Sequence, residues 1–475
     1  MATENDPSYN AEQLYAKREP IHPKAIRGRF RRFKDLVLLV AYGVFFLLPW
    51  VRWDRGGTGP GQAVMFDIPE RRYYLFDLVI HPQDMFLLAG FLILAAWLLF
   101  FVTGLVGRAF CGYFCFQTLW TDVFMKVEAV VQGDRNKRMR LEKQPWNGEK
   151  VAKKGLTVAI WTAIAFWTGF TFTAYWADAP RLFVDFFTLD AANAAYITTG
   201  ILTVTTLLAA GFAREQVCIY MCPYARFQSV MFDKETLLVS YDAKRGEGEA
   251  GRQPLKQGLM TLEERHAQGV GDCIDCKLCV QVCPTGIDIR DGLQLECISC
   301  GLCIDACDQI MSKRGWPTGL IRYASEQELE TGEKPNLLKF RTIGYGVATL
   351  AATALLLYGI FARAPADVSV QQVRQPLFTV LSDGQIQNNY NVKVNNKLQE
   401  DLVFELELRG LDNAEVSVVG DFETFDIPAD GSRQYLVHVR APREAGVQRK
   451  DIEFVLDEQG GKLDPLVHSA TFVFQ

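Results

Sequence analysis

Eight cysteines between positions 273 and 307 fall into two runs with the same spacing, CIDCKLCVQVC and CISCGLCIDAC. Each run is C-x2-C-x2-C-x3-C, the spacing with which bacterial ferredoxins hold [4Fe–4S] clusters. In that pattern three cysteines of a run bind one cluster and the fourth binds the other. We therefore predict one cluster on Cys273, Cys276, Cys279 and Cys307, and a second on Cys297, Cys300, Cys303 and Cys283.

Zinc is the alternative ligand for such a segment. Zinc ribbons, however, use separated C-x2-C pairs and not eight cysteines in tandem. Asp308 stands where proline usually follows the last cysteine, and we expect this change to affect the cluster potential more than the ligation. The segment predicts an electron-transfer module with two clusters.

Four further cysteines form two C-x3-C pairs, Cys111 with Cys115 and Cys218 with Cys222, each just after a long apolar stretch. Positions i and i+4 share a face if the helix continues, so each pair would present two sulfurs together, with Pro223 ending the second helix. Three interpretations stay open. The cysteines are inert small apolar residues, form reversible disulfides, or bind Cu(I), a soft ion that prefers sulfur. Nearby Arg108 and Arg214 would lower the thiol pKa if they are close.

The composition limits the compartments and partners. The chain has 475 residues and a formal net charge of −5, which gives no sign of nucleic-acid binding. Its 12 cysteines lie between positions 111 and 307, unlike those of a short secreted disulfide scaffold, so we expect thiols in a reducing compartment. No secretory signal is expected, because the first apolar run starts near Leu36 and no cleavage-type site follows it.

Five apolar stretches are long enough to cross a bilayer, which takes about 20 residues. They lie at roughly 35–53, 84–107, 157–177, 193–213 and 340–362. Basic residues concentrate in 17–34 and 108–156, whereas the loops 54–83 and 178–192 hold few. The positive-inside rule then places the N-terminus, loop 108–156 and residues 214–339 in the cytoplasm, and the C-terminal part outside. Both C-x3-C pairs would lie at the cytoplasmic surface.

The expected organisation is a multi-domain membrane protein. Its parts are a cytoplasmic segment (1–34), a four-span region carrying the two cysteine pairs (35–213), a cytoplasmic segment (214–339) with a two-cluster ferredoxin-like domain at about 264–312, a fifth transmembrane helix (340–362) and a periplasmic domain (364–475). We expect residues 1–16 and 244–258 to be disordered.

The C-terminal part reads as a β domain. Alternating stretches such as NYNVKV and LVFELEL are separated by turn signals, for example Asp383-Gly384, which predicts a β-sandwich. His438 and His468 are its transition-metal ligand candidates, and we expect His438 to be a solvated or core residue. His81, before the second span, is either a structural histidine at the membrane interface or a contact to a quinone or a metal.

Several landmarks together resemble one family. The two-cluster motif, CGYFC at 111–115, CIYMCP at 218–223, the basic run RGRFRRFKD at 27–35 and GWPTGLIRYAS at 315–325 are similar to the CcoG family of cytochrome c oxidase accessory proteins, also called FixG or RdxA. The resemblance covers about residues 15–475. It implies an iron–sulfur protein of the bacterial inner membrane with an immunoglobulin-like C-terminal domain. A looser similarity links the membrane part to quinol-linked NapH-type polyferredoxins.

The resemblance also implies a function. The family is tied to assembly of a cbb3-type oxidase and to reduction of Cu(II) to Cu(I), so Cys111, Cys115, Cys218 and Cys222 become the candidate copper-handling and catalytic thiols. Expected partners are oxidase subunits or copper-delivery factors, membrane lipid, and a cytoplasmic or quinol electron donor. The alternatives are a quinol-linked electron-transfer adaptor of the NapH type and a non-catalytic, redox-sensing assembly scaffold.

Overall fold

The computed structural model describes residues 20–55, 59–420, 422, 424–444 and 446–474. These residues divide into two compact units. The first unit holds the described residues up to Pro49 together with Leu88–Tyr175 and Pro180–Ala354, and the second holds the described parts of Trp50–Leu87, Trp176–Ala179 and Leu355–Gln475. The predicted disorder of residues 1–16 lies outside the described residues.

Helices dominate the first unit, and the fifteen α-helices of the described chain are numbered in chain order. They are α1 Arg29–Leu47, α2 Met85–Val106, α3 Ala109–Tyr113, α4 Phe116–Val131, α5 Arg135–Lys143, α6 Gly148–Ala174, α7 Ala179–Thr188, α8 Asn193–Thr206, α9 Tyr224–Val230, α10 Ala243–Glu247, α11 Leu262–Ala267, α12 Leu278–Val282, α13 Leu302–Lys313, α14 Glu326–Thr331 and α15 Phe340–Phe361. Two π-helical segments, Leu207–Ala213 and Val217–Met221, follow α8.

Five of the helical segments are long and apolar enough to span a membrane, which confirms the predicted number. They are Arg29–Trp50, Met85–Val106, Gly148–Ala174, Asn193–Ala213 and Phe340–Phe361. Only 6% of the most apolar window of α2 and of α15 is buried inside protein, so these two helices present nearly their whole surface outward. A helix that is apolar all round and unburied suits lipid.

Two spans start earlier than the sequence predicts. Helix α1 begins at Arg29 and not near residue 35, because the backbone N–H groups of Phe30 and Arg31 are capped by the carboxylate of Asp305, at 3.2 and 2.8 Å. Helix α6 begins at Gly148 and not at 157, because the side chain of Asn147 accepts from Lys150 N at 2.8 Å. In both cases a polar first turn becomes helical because the free backbone N–H groups at the start of the helix find acceptors.

Aromatic residues form the core of the helical bundle. Trp120, Phe124 and Trp161 are buried with Leu38 and Ala210. The rings of Phe124 and Trp161 stack with centroids 5.4 Å apart. The indole N–H of Trp161 donates to Phe124 O at 3.0 Å, and that of Trp120 donates to Thr168 Oγ1 at 2.9 Å. Buried tryptophans are tolerated here because each N–H has a partner.

The cysteine-rich part of the first unit is compact. Strands β4 (Leu238–Tyr241) and β5 (Ile321–Ala324) pair antiparallel and bring its two ends together. Residues 244–258, expected to be disordered, are described: α10 opens the stretch, and Gly248 bridges to Val270. The expectation was wrong because Asp242 caps α10 and because backbone bonds such as Ala250 N to Gly269 O hold the glycine-rich chain.

The second unit contains the β-sandwich that the alternating sequence predicts. Its strands are β6 Ala366–Gln372, β7 Thr379–Val380, β8 Ile386–Asn396, β9 Leu402–Arg409, β10 Glu415–Val418, β11 Phe425–Ile427, β12 Ser432–Ala441, β13 Arg449–Glu458 and β14 Leu466–Val473. One sheet has the order β10-β12-β8-β6, with β7 also pairing with β8, and the other has the order β11-β9-β13-β14. Inward-facing residues of both sheets, including Tyr390, Val437, Phe404 and Phe454, form the core.

The second unit also contains a small sheet that sequence analysis did not predict. Strands β1 (Val64–Asp67), β2 (Arg72–Leu75) and β3 (Leu78–Ile80) form an antiparallel meander. Buried ion pairs join it to the sandwich: Asp84 contacts Arg363 at 2.7 Å and Lys397 at 3.1 Å. Arg72 donates to Asp430 O at 2.7 Å.

Candidate functional site

The structure gathers the eight ferredoxin-type cysteines around two enclosed cavities. Cys273, Cys276, Cys279 and Cys307 line the first cavity. Cys283, Cys297, Cys300 and Cys303 line the second, together with Cys279. The fourth cysteine of each run therefore lines the cavity of the other run, as predicted: Cys307 lines the first cavity and Cys283 the second.

Backbone conformation explains how each run wraps its cavity. In the first run Asp275 and Lys277 have positive φ, 48° and 54°, and in the second run Ser299 and Gly301 have positive φ, 51° and 69°. The left-handed residues therefore occupy matching positions, on either side of the middle cysteine. Such residues turn the chain sharply, so consecutive cysteines can point to one centre. The third cysteine of each run lies in the first turn of α12 or α13.

Charged side chains stabilise the loop that carries the first run of cysteines. Arg290 contacts Asp275 and Asp288, each at 2.6 Å. The fully buried Arg265 donates to the carbonyl oxygens of Gly271 and Cys273, at 2.7 and 2.9 Å. Burial raises the pKa of Cys279 and of Cys297 to about 12, so these thiols need a bound cation to become thiolate ligands at neutral pH. The residues present fit two [4Fe–4S] clusters.

The four membrane-edge cysteines come together from two distant parts of the chain. Cys111 lies near enough to Cys115 and Cys222 for their charges to act on its pKa. Cys218 is affected in the same way by the other three. The two C-x3-C pairs therefore lie in the same part of the structure, as the hypothesis of a shared site requires.

The predicted helical geometry of the pairs was wrong. Helix α3 ends at Tyr113, and Cys115 is extended at the start of α4, so Cys111 and Cys115 are not on one continuous helix. Cys218 lies in a π-helical segment and Cys222 is again extended. The chain turns at Gly107 and Arg214, with φ of 56° and 43°. As predicted, the helical segment that carries Cys218 ends just before Pro223, at Met221, and α9 begins after Pro223.

The first pair is packed against the second cluster cavity. A Cβ atom on Gly112 would lie 2.6 Å from Ile298 O and 3.0 Å from the Cα of Cys300, so only glycine permits this approach. The hydroxyl of Tyr113 donates to Cys300 O at 2.8 Å. Cys111 itself is buried in one apolar cluster with Ile298 and Cys300. No sequence spacing indicated this contact between residues almost two hundred positions apart.

The electrostatics of the thiols differ from the expectation. Burial raises the pKa of Cys111, and the nearby Arg108 opposes this rise without overcoming it. Burial also raises the pKa of Cys218, to about 12. The Cys111 thiol donates a hydrogen bond to Gln228 Oε1 at 3.0 Å. The guanidinium of Arg214 forms an ion pair with Glu128, at 2.6 Å. The arginines therefore do not keep these two thiols ionised in the metal-free chain.

No preformed site for a single ion is present among the described residues. No group of three or more His, Cys, Asp or Glu side chains there could hold one metal ion.

Sequence analysis missed the charged residues that hold the N-terminal helix at this site. Asp122 is buried between Arg31, at 2.7 Å, and Lys34, at 3.6 Å. Lys34 is fully buried, and its charge opposes the burial that raises the pKa of Cys300. The run RGRFRRFK indicated only membrane topology. An available signal was Asp122, an acid amid apolar residues shortly after CGYFC.

The candidate histidines lie away from the cysteines in sequence, in the second unit. His81 is buried, with Nε2 3.0 Å from Asp430 and Nδ1 2.7 Å from Arg363, which favours its structural interpretation over a contact to a quinone or a metal. His438 lies on β12 and His468 on β14, in different sheets. The described residues thus give neither His438 nor His468 a metal-ligand group.

Three protein-family models match this chain. A model described as a 4Fe-4S dicluster domain matches residues 213–326. A model described as a 4Fe-4S binding domain matches residues 87–138, which include Cys111 and Cys115. A model of the IG-like fold at the C-terminal of FixG matches residues 356–475. Iron–sulfur domains and the C-terminal sandwich therefore both have counterparts in known families.

Three curated proteins are similar over most of their length. The chain is 41% identical to protein RdxB of Cereibacter sphaeroides and 42% identical to protein RdxA of the same organism, in both cases over 95% of this chain and 96% of the relative. It is 43% identical to the nitrogen fixation protein FixG of Rhizobium meliloti, over 86% of this chain and 82% of that protein.

Proposed function

Because this chain belongs to the FixG family of membrane iron–sulfur electron-transfer proteins, we propose that it reduces Cu(II) to Cu(I) for the assembly of a cbb3-type cytochrome c oxidase. The copper ion is the substrate, and the thiols of Cys111, Cys115, Cys218 and Cys222 receive it. The resemblance to the oxidase accessory family motivates the choice of substrate, and the structure of the membrane edge supports it.

One observation carries the proposal: the segment around Cys111 packs against the second cluster cavity. Gly112 packs on the backbone of Cys300, and Tyr113 donates a hydrogen bond to the carbonyl oxygen of the same residue. A cluster bound in that cavity would therefore be connected to Cys111 through packed protein, since Cys111 shares a buried apolar cluster with Ile298 and Cys300. Tight packing of this kind favours electron transfer, which depends steeply on distance.

The redox step balances with one electron. When bound, the two clusters supply one-electron transfer, and Cu(II) gains one electron to become Cu(I). The residues of the chain bind and orient the ion: sulfur ligands favour the softer Cu(I) product. Burial raises the pKa of Cys111 and Cys218, so the thiols that bind copper release their protons to solvent. The electron is replenished by a one-electron or two-electron reductant.

The topology supports a cytoplasmic site. We place the cysteine-rich segment and the N-terminus in the cytoplasm and the C-terminal sandwich in the periplasm of a bacterial inner membrane, because the basic residues cluster in 17–34 and 108–156. Copper would then be reduced in the compartment where thiols stay reduced. Partners of the sandwich are oxidase subunits or copper-delivery factors.

The test replaces the four thiols together, Cys111→Ser, Cys115→Ser, Cys218→Ser and Cys222→Ser. We expect the anaerobically purified variant to keep about eight irons per chain, as two [4Fe–4S] clusters require. The protein is reduced with dithionite, the excess dithionite is removed by gel filtration, and Cu(II) is then added with a chelator that traps Cu(I). We expect the variant to form no Cu(I) in this assay. Tyr220→Phe, at an exposed position between the second pair, is the matched control and should reduce copper like the unmodified protein.

Two results would count against this role of the thiols. Unchanged formation of Cu(I) by the quadruple variant would remove them from the reaction. An iron content about four irons per chain lower in the quadruple variant than in the unmodified protein would reassign the thiols as ligands of a further cluster. That outcome would agree with the 4Fe-4S binding model that covers Cys111 and Cys115.

A further inference from the structure

A separate cavity lies beside the second cluster cavity, where α2 ends, and we call it the α2-end cavity. It has a volume of about 320 Å³ and is lined by apolar residues that include Phe232, Leu238 and Leu293. Cys297, one of the predicted cluster ligands, forms part of its wall. A mostly apolar cavity of this size with a few polar groups is typical of a small-molecule site.

The α2-end cavity lies at the end of a membrane-spanning helix. Leu237 N donates to Leu105 O, in the last turn of α2, at 3.0 Å. The positive φ of Gly107 and its missing side chain let Leu238 approach, since a Cβ there would lie 2.3 Å from Leu238 Cδ2. Val230 is 84% exposed and Leu293 and Leu295 are each 62% exposed, so the rim is apolar. An apolar rim next to a lipid-facing helix admits ligands from the bilayer.

One polar side chain in the wall has an unused donor. Arg108 is only 3% exposed, and one of its terminal nitrogens donates to Leu295 O. Its Nε is buried and has no hydrogen-bond partner among the described residues. A buried donor without an acceptor is unfavourable, so a ligand oxygen is the group that completes this wall. Gln294 uses its Nε2 on Asp288 O, which leaves its amide oxygen as an acceptor.

We infer that the α2-end cavity binds the head group of a membrane hydroquinone, the electron donor of the protein. The apolar rim suits the isoprenoid or alkyl tail, Arg108 suits a quinone oxygen, and Gln294 can accept from a hydroxyl. Because Cys297 lines both this cavity and the second cluster cavity, the quinone ring would lie next to a cluster site. This inference rests on the electron-transfer part of the proposed function and does not depend on copper being the acceptor.

The step balances in electrons and protons. One hydroquinone loses two electrons and two protons and leaves as the quinone. The two electrons need two one-electron acceptors, a number that two bound clusters would supply, and the two protons go to water at the membrane surface.

The test measures binding directly. The full-length protein in lipid vesicles is illuminated with a photoreactive azido-quinone carrying a short alkyl tail, and labelled peptides are identified by mass spectrometry. We expect labels within residues 226–239 and 290–299. Leu293→Trp should fill the mouth and cut labelling at least tenfold, and Arg108→Met should weaken it. Leu338→Trp, at another exposed leucine outside the cavity lining, is the matched control and should label normally.

A second readout separates this inference from copper reduction. A short-tailed quinol should reduce the clusters of the unmodified protein, followed by electron paramagnetic resonance, and should reduce those of Leu293→Trp at least tenfold more slowly, whereas dithionite should reduce both equally. Three results would overturn the assignment. They are labelling of Leu293→Trp equal to that of the unmodified protein, a cavity that binds phospholipid but no quinone, and clusters that the quinol does not reduce. Formation of Cu(I) by the same samples, after reduction with dithionite and removal of its excess, tests the copper proposal independently.

Discussion

At the scale of single residues, Gly112 matters most for the proposed electron path. It is one of few positions where an added methyl group would meet only backbone atoms, those of Ile298 and Cys300. Backbone atoms cannot rotate away as the end of a side chain can. The absence of a side chain at Gly112 therefore allows the CGYFC segment to sit directly on the second cluster site.

Gly112→Ala should therefore separate the thiols from the cluster site. We expect a destabilisation of about 1–3 kcal/mol, as for other overpacked interfaces, and a slower reoxidation of reduced clusters by Cu(II) in stopped-flow absorbance. Iron content should not change. Gly155→Ala, where nothing lies within 4 Å of the new Cβ, is the control. Wild-type reoxidation in Gly112→Ala would show that this contact does not govern the transfer.

At the scale of elements, the carboxylate of Asp305 ties helix α1 to α13. Asp305 accepts from the backbone N–H groups of Phe30 and Arg31 and takes the role of an N-cap from a distant element. Gly28, the residue before α1, provides no side-chain cap. Since α13 carries Cys303 and Cys307, this contact links the first membrane span to both cluster sites.

Asp305→Ala should weaken that link. Losing an N-cap acceptor costs about 1 kcal/mol, so the free energy of unfolding of the cysteine-rich part should fall by that amount. Because the domain opens more often, a chelator should remove iron faster, which absorbance reports. Asp291→Ala, at an exposed acid of the same domain, should lose iron at the unmodified rate. Identical rates for the two variants would mean that α1 does not support the clusters.

At the scale of the whole molecule, buried ion pairs hold the second unit together. Asp84, just before α2, is almost fully buried between Arg363, just after α15, and Lys397 of the sandwich. The Nδ1 atom of His81 also contacts Arg363, at 2.7 Å. The sandwich is thus anchored to the residues that flank two membrane spans, and not only by the chain that enters it.

Asp84→Asn should destabilise the second unit strongly. It leaves the largely buried Arg363 without its anion, while Lys397 keeps Asp367 at 3.2 Å. Breaking a buried pair costs about 3–5 kcal/mol, and pulse proteolysis in urea should show unfolding of the sandwich at lower urea. Glu400→Gln breaks the exposed pair with Lys462 and should cost less than about 1 kcal/mol. Equal urea midpoints for the two variants would contradict an anchoring role of Asp84.

The sequence alone predicted the parts of this protein that depend on local patterns. The spacing of the eight cysteines indicated two clusters, because a few intervening residues limit how far apart the sulfurs can lie. Apolar length indicated five spans, and period-two alternation indicated the sandwich. Each of these signals comes from residues close together in the chain.

Only the tertiary structure decided which of these parts meet. Contacts such as Gly112 with Cys300, Asp305 with Phe30, and Lys34 with Asp122 join residues dozens to hundreds of positions apart, and no local spacing encodes them. The broken helices at Cys115 and Cys222 and the cavity beside Cys297 likewise follow from how the cysteine-rich part packs on the ends of the spans. The free energy of packing depends on side chains from distant parts of the chain that form one contact surface, whereas a spacing pattern describes only a single stretch of chain.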